Sequence, residues 1–182
     1  MKKIFFSIAV LFTAIVSNAQ FTSARLTAAG LTCAMCTKAI YTTLEKIPSV
    51  QKVDTDIKNS SFVIYFKNAS DIDPDVLKSA VEQAGFSVAK LSLTGSFNNV
   101  PVSNNAHVSI GGKIYHFLQV KNTTSLNGSQ TLTLVDRKFI STKEFKKFET
   151  GGGHECLETG KAEACCPKTM VADNSRIYHV TL

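Results

Sequence analysis

Tryptophan is absent from the 182 residues, and there are only 4 prolines, 4 histidines and 3 methionines. With 10 glycines and 44% hydrophobic residues, the composition excludes collagen-like and grossly disordered chains. No nucleophile elbow, phosphate-cradling glycine loop or His-Glu-x-x-His motif occurs, so the common sequence signatures of an enzyme are missing. Beyond the first twenty residues there is no long apolar run, whereas a spanning helix needs about 20 apolar residues. Cysteine is also sparse. Five cysteines are an odd number for a pure disulfide framework and too few for a knottin-like scaffold. Some must therefore be free for other chemistry.

The first twenty residues read as an address. Lys2 and Lys3 form a positive start, Ile4 to Val16 is an apolar run of 13 residues, and Ser17-Asn18-Ala19 supplies small residues for a cut after Ala19. That is the pattern of a secretory signal peptide, and the run is too short for a membrane anchor. The expected mature chain, 20–182, carries 18 basic and 14 acidic residues, a charge of +4. An excess so mild does not argue for nucleic acid. The expected location is exported, periplasmic or secreted, with no membrane span in the mature chain. Such a compartment is oxidising, where exposed thiols pair unless something holds them.

Hydrophobic periodicity divides the rest in two. Thr22 to Ala29 reads as a strand and Met35 to Lys46 as a helix with Cys36, Ile40, Leu44 and Ile47 on one stripe. Val50 to Ile57 and Ser61 to Phe66 read as strands joined by a turn at Asn59-Ser60. Asp73 caps a second helix with Pro74 at its first position, and Gly85 ends it. Phe86 to Leu93 is the last strand. The order βαββαβ is the ferredoxin-like split pattern, so the fold class is α+β. Residues 94–105 are polar and turn-rich and read as an interdomain linker. In 106–182, strands are expected at Ala106–Ile110, Lys113–Lys121, Thr131–Val135 and Arg176–Leu182, with a capping box at Ser141-Thr142-Lys143-Glu144 opening a short helix. A small, mainly-β domain, an OB-like barrel, is the expectation there. Residues 150–174 read as a long loop holding three of the five cysteines.

Gly30-Leu31-Thr32-Cys33-Ala34-Met35-Cys36 joins the first strand to the first helix. Cys33 lies in the loop and Cys36 in the first helical turn, so both sulfurs can meet at one point. The helix N-terminus favours negative charge, hence the thiolate, which is the metal-binding form. Two thiolates with little else suit a soft ion of low coordination. Cu(I) comes first, with Ag(I) and Hg(II) sharing the preference. Zn(II) usually takes four ligands, and Thr32 offers no acidic oxygen beside Cys33. The rival reading is a redox-active Cys33–Cys36 disulfide. Thioredoxin-like folds pair such a motif with a preceding tryptophan, an opposed cis-proline and a different element order; this chain has no tryptophan, and its βαββαβ order differs.

This segment resembles the heavy-metal-associated domain of copper chaperones, metal-transporting P-type ATPases and periplasmic mercury-binding proteins, over residues 24–93. The matching residues are Gly30 to Cys36, the Ile47-Pro48-Ser49-Val50 turn and Ala84-Gly85-Phe86. The resemblance implies that Cys33 and Cys36 bind the metal, with Phe86 as the aromatic near the site. Leu31 stands where methionine is commoner, at a position that is typically a packing residue. Thr32 and Met35 flank the ligands. Met35 could offer a thioether, but a solvent-facing side chain is the reading preferred. Partners implied are a metal ion and another metal-transfer protein or a transporter.

Two readings of the second cysteine group stand side by side. Cys156 can form a loop-closing disulfide with Cys165 or Cys166, leaving one thiol. Alternatively Cys156, Cys165 and Cys166, with His154, form a second site for Cu(I), Zn(II) or Hg(II). Adjacent Cys165 and Cys166 are not expected to bond each other. His107, in or at the start of a strand, and the histidines of Ile114-Tyr115-His116 and Ile177-Tyr178-His179 are taken as ordinary strand residues. Three functions follow as expectations. An exported Cu(I) carrier comes first, a scavenger of mercury or another soft metal with a second C-terminal site next, and a thiol–disulfide redox protein last.

Overall fold

A computed structural model describes residues 20–67, 72–149 and 155–182. The expected signal peptide and His154 lie outside these residues. Strand β1 (Gln20–Ala29) leads to helix α1 (Ala34–Glu45), then β2 (Val50–Asp56), β3 (Ser61–Phe66), α2 (Pro74–Gln83) and β4 (Ser87–Val102). β1 lies between β3 and β4, antiparallel to both, and β2 pairs with the far side of β3. This is the expected βαββαβ arrangement. Ile40 and Leu44 of α1 and Leu77 and Val81 of α2 share one buried cluster with Leu26, Phe62, Ile64 and Leu91 of the sheet. A fully buried aliphatic or aromatic side chain contributes about 1.5–3 kcal/mol, while an exposed ion pair such as Lys52–Asp54 contributes about 0–1. Burial, not surface charge, therefore holds this half together.

The helix ends follow from local chemistry. Asp73 accepts a hydrogen bond from the Asp75 N–H at 2.9 Å and Pro74 follows it, so α2 starts with a satisfied donor. At the other end the Gly85 N–H donates to Glu82 O and the Phe86 N–H to Val81 O, with Gly85 at φ +86°. That pair of bonds around a left-handed residue is a Schellman motif, and it aims Phe86 back onto the core.

The expected linker is the largest departure. β4 continues through 94–102 and pairs with β1 on one side and β7 (Thr124–Leu134) on the other. Leu93, Gly95 and Phe97 alternate inward. A bulge at Asn98-Asn99, with Asn99 at φ +50°, then resets the alternation so that Val100 and Val102 also point in. The bulge hid the period-2 signal, and the polar residues on the outer face looked like a loop. Gly95 is needed by close approach: a Cβ there would lie 2.7 Å from the Gln20 carbonyl oxygen of β1.

The chain goes on with β5 (His107–Ile110), β6 (Lys113–Phe117), β7 (Thr124–Leu134), α3 (Thr142–Glu149), α4 (Glu155–Thr159) and β8 (Ile177–Thr181). The sheet order is β2-β3-β1-β4-β7-β8-β6-β5, eight strands in one linear series. The C-terminal part is thus mainly β, but among the described residues its strands extend one linear sheet, and the expected OB-like barrel is not seen. α3 opens on the expected cap, Ser141 Oγ accepting from the Glu144 N–H at 3.3 Å. Within the expected loop lies α4. It buries Cys156 and Leu157.

Candidate metal centre

Cys33 is the N-cap of α1. Its backbone is extended, at φ −148° and ψ 157°, and its Sγ accepts from the Cys36 N–H at 3.3 Å. The sulfur thus takes the place that a serine or aspartate oxygen takes in most caps. Hydrogen bonding from the Cys36 thiol, and next from the Cys36 backbone N–H, holds the Cys33 thiol below its ordinary value. No acidic residue in the first turn offsets the positive end of α1. Both cysteines are free, Cys33 exposed and Cys36 half-buried. The structure therefore brings together two thiols, that of Cys33 held below its ordinary value, at an accessible helix end.

The flanking residues fall in two groups. Met35 is 75% exposed and points away from the core, as expected, and Thr32 is exposed too. Leu31 and Phe86 are half-buried against the same core cluster. For Leu31 this is consistent with a packing role.

The C-terminal cysteines also converge. Cys156 on α4 is fully buried, with the Cys165 sulfur 3.1 Å from its own, and Cys165 and Cys166 sulfurs are 3.8 Å apart. All three are free; Cys165 is exposed and Cys166 is buried. Burial pushes the Cys156 thiol far up, and its two cysteine neighbours push it further. Burial also acts upward on Cys165, but hydrogen bonding to Cys156 outweighs it, and that exposed thiol is held below its ordinary value.

Two residues that sequence reasoning passed over complete this region. His179 Nε2 lies 3.3 Å from the Cys156 sulfur and His116 Nδ1 lies 3.9 Å from it. Both histidines lie in strands, as expected, and are buried, at 0% and 1% exposure. β6 and β8 are parallel, with His116 opposite His179, so the imidazoles share one sheet face with ring centroids 5.1 Å apart. His107, across the β5–β6 hairpin, stacks on His116 at 4.1 Å. Asp136 was also missed. Its Oδ1 lies 3.2 Å from His179 Nδ1, its Oδ2 accepts from the His179 N–H at 2.9 Å, and Arg176 Nη1 donates to it at 3.0 Å. The sequence does carry a signal. Ile-Tyr-His occurs at 114–116 and again at 177–179, and the two copies are register partners.

Residues 25–87 match the family profile described as the heavy-metal-associated domain. No curated protein matches the chain. Among solved structures, the N-terminal domain of PacS from Synechocystis is 27% identical, with 36% of this chain and 91% of that chain covered at a TM-score of 0.32. The yeast copper transporter domain CCC2A, solved in apo and Cu(I)-loaded states, is 28% identical, with 36% and 88% covered and a TM-score of 0.33. Oxidized MerP from Ralstonia metallidurans is 28% identical, with 38% and 96% covered and a TM-score of 0.33.

Proposed function

We propose that the heavy-metal-associated domain formed by residues 25–87 binds Cu(I) between Cys33 and Cys36 and passes it on, in an exported carrier. The observation that carries this reading is the pair of free thiols at the N-terminus of α1, one of them held toward the thiolate. Soft-metal binding is the chemistry that a heavy-metal-associated domain and two thiols share. Cu(I) is preferred because two sulfurs satisfy it, whereas Zn(II) usually takes four ligands. Transfer proceeds by ligand exchange. An incoming thiolate or thioether of a metal-transfer protein or transporter adds to the ion, a three-coordinate intermediate forms, and Cys33, the exposed ligand, leaves first. Removal of residues 1–19 and delivery to the periplasm or outside the cell belong to the same proposal.

Anaerobic titration of the reduced full chain with Cu(I), against a chromophoric chelator, tests it. The Cys33→Ser/Cys36→Ser variant is expected to lose one tightly bound equivalent. Serine is itself a good N-cap, so α1 should persist by circular dichroism. Retention of all tight binding by the variant would overturn the proposal. Metal-independent dithiol–disulfide turnover would replace it with the redox reading.

A further inference from the structure

Buried polar side chains must be partnered, and a group of them that uses no residue of the described site calls for a use. Among the described residues, two trios of ligand atoms each lie within 4.8 Å: His116, Cys156 and His179, and Cys156, Cys165 and Cys166. They share Cys156. They come from β6, α4, the 165–166 turn and β8, so no single local motif accounts for their meeting.

The spacings suit a metal. With metal–sulfur bonds of about 2.3 Å and metal–nitrogen bonds of about 2.0–2.1 Å, tetrahedral ligand atoms sit roughly 3.3–3.8 Å apart. Here one sulfur–sulfur distance, 3.8 Å, and one sulfur–nitrogen distance, 3.3 Å, fall in that range, and the others, 3.1 and 3.9 Å, lie just outside it. The outer shell is in place as well. A carboxylate only accepts, so Asp136 requires the proton of His179 on Nδ1. That leaves the Nε2 lone pair directed toward Cys156. Asp136 is itself fixed by the His179 N–H and by Arg176. Arg176 is in turn tied to Asp75 at 2.7 Å.

A cysteine, a histidine and an aspartate in line also suggest a nucleophile, but the burial of Cys156 argues against it. A reactive thiol is partly exposed, whereas Cys156 is fully enclosed. We propose that Cys156, Cys165, Cys166 and His179, bordered by His116, form a second, enclosed site for a thiophilic d10 cation, Zn(II) or Cu(I). Cys165 is the exposed member and makes the first contact with an arriving ion. Each cysteine that binds exchanges its S–H bond for a metal–sulfur bond and gives the proton to water. This site uses none of the residues of the first and stands or falls without it.

The test uses the full chain carrying Cys33→Ser/Cys36→Ser, fully reduced and anaerobic. It is titrated separately with Zn(II), with Cu(I), and with Co(II) as a spectroscopic probe. One equivalent per chain is expected, with sulfur-to-cobalt charge-transfer bands and tetrahedral visible bands for Co(II). The ion bound more tightly in competition identifies the preferred cation. Cys165→Ser, at an exposed position where the fold should tolerate it, is expected to weaken uptake and reduce the charge-transfer intensity. His179→Gln should shift the visible bands, and Asp136→Asn should weaken binding by about 10–100-fold. No uptake by the reduced chain would overturn the site. So would uptake that is unchanged in both Cys165→Ser and His179→Gln, or a Cys156–Cys165 disulfide that, once reduced, still takes up no metal.

Discussion

Gly160 closes α4, and replacing it with alanine tests how the C-terminal segment is braced. Its φ is +70°, its N–H donates to the Cys156 carbonyl at 2.8 Å, and its own carbonyl accepts from the Ile177 N–H at 3.0 Å. A left-handed residue in this position ends the helix. Giving it a Cβ costs about 1–2 kcal/mol for the backbone alone. The Cβ would also lie 2.4 Å from Arg176 Nη1. An arginine tip would ordinarily swing aside, but this one is held by Asp75, Asp136, the Gly160 carbonyl and the Ile177 carbonyl. Moving it breaks at least one charge-assisted hydrogen bond, a further loss of about 1.5–3 kcal/mol. Gly160→Ala should therefore destabilise the reduced chain by about 2.5–5 kcal/mol in urea unfolding. Gly128→Ala is the control. Gly128 has φ +65° with nothing within 4 Å of its would-be Cβ, so only the backbone loss of about 1–2 kcal/mol applies. If the two variants unfolded at the same denaturant concentration, Arg176 would have moved without loss and the brace would not exist.

Two further outcomes follow from single residues. Burial pushes the Asp75 carboxyl up, but hydrogen bonding and charge from Arg176 outweigh it and hold it below the ordinary carboxylate value. A depressed folded value means stabilisation that is full above the unfolded pKa of about 3.9 and lost as pH falls through the folded one. The stability gap between the wild type and Asp75→Asn should thus narrow on acidification, as followed by unfolding at a series of pH values, and a gap constant into strong acid would refute the assignment. Met35 points into solvent, so Met35→Ala should leave Cu(I) affinity unchanged in chelator competition. An order-of-magnitude fall would make its thioether a ligand.

The first site and the fold around it were legible for a physical reason. Cys33 and Cys36 are three residues apart, and the helical turn that brings them together is local. The caps at Asp73 and Gly85 and the stripe of Ile40 and Leu44 are equally local, and these elements appear within a residue or two of their expected ends. Where local chemistry conflicted with pairing, the reading failed. Residues 94–102 carry turn formers, yet β1 and β7 draw them into one strand because the backbone groups of both neighbours need partners. Among the described residues the strands form one linear series, and β4 carries the sheet from one half into the other.

What the sequence by itself determined is the placing of Cys33 and Cys36 together at the start of α1 and the βαββαβ order that presents them, since both depend on contacts a few residues apart. What only the tertiary structure decided is the company of Cys156. His116 and His179 lie 40 and 23 residues from it, and Asp136 lies 43 from His179. They meet because β6 and β8 pair in parallel and align the two Ile-Tyr-His copies, and because α4 tucks its second residue inward. Strand register is a cooperative property of the whole sheet, and no spacing along the chain encodes it.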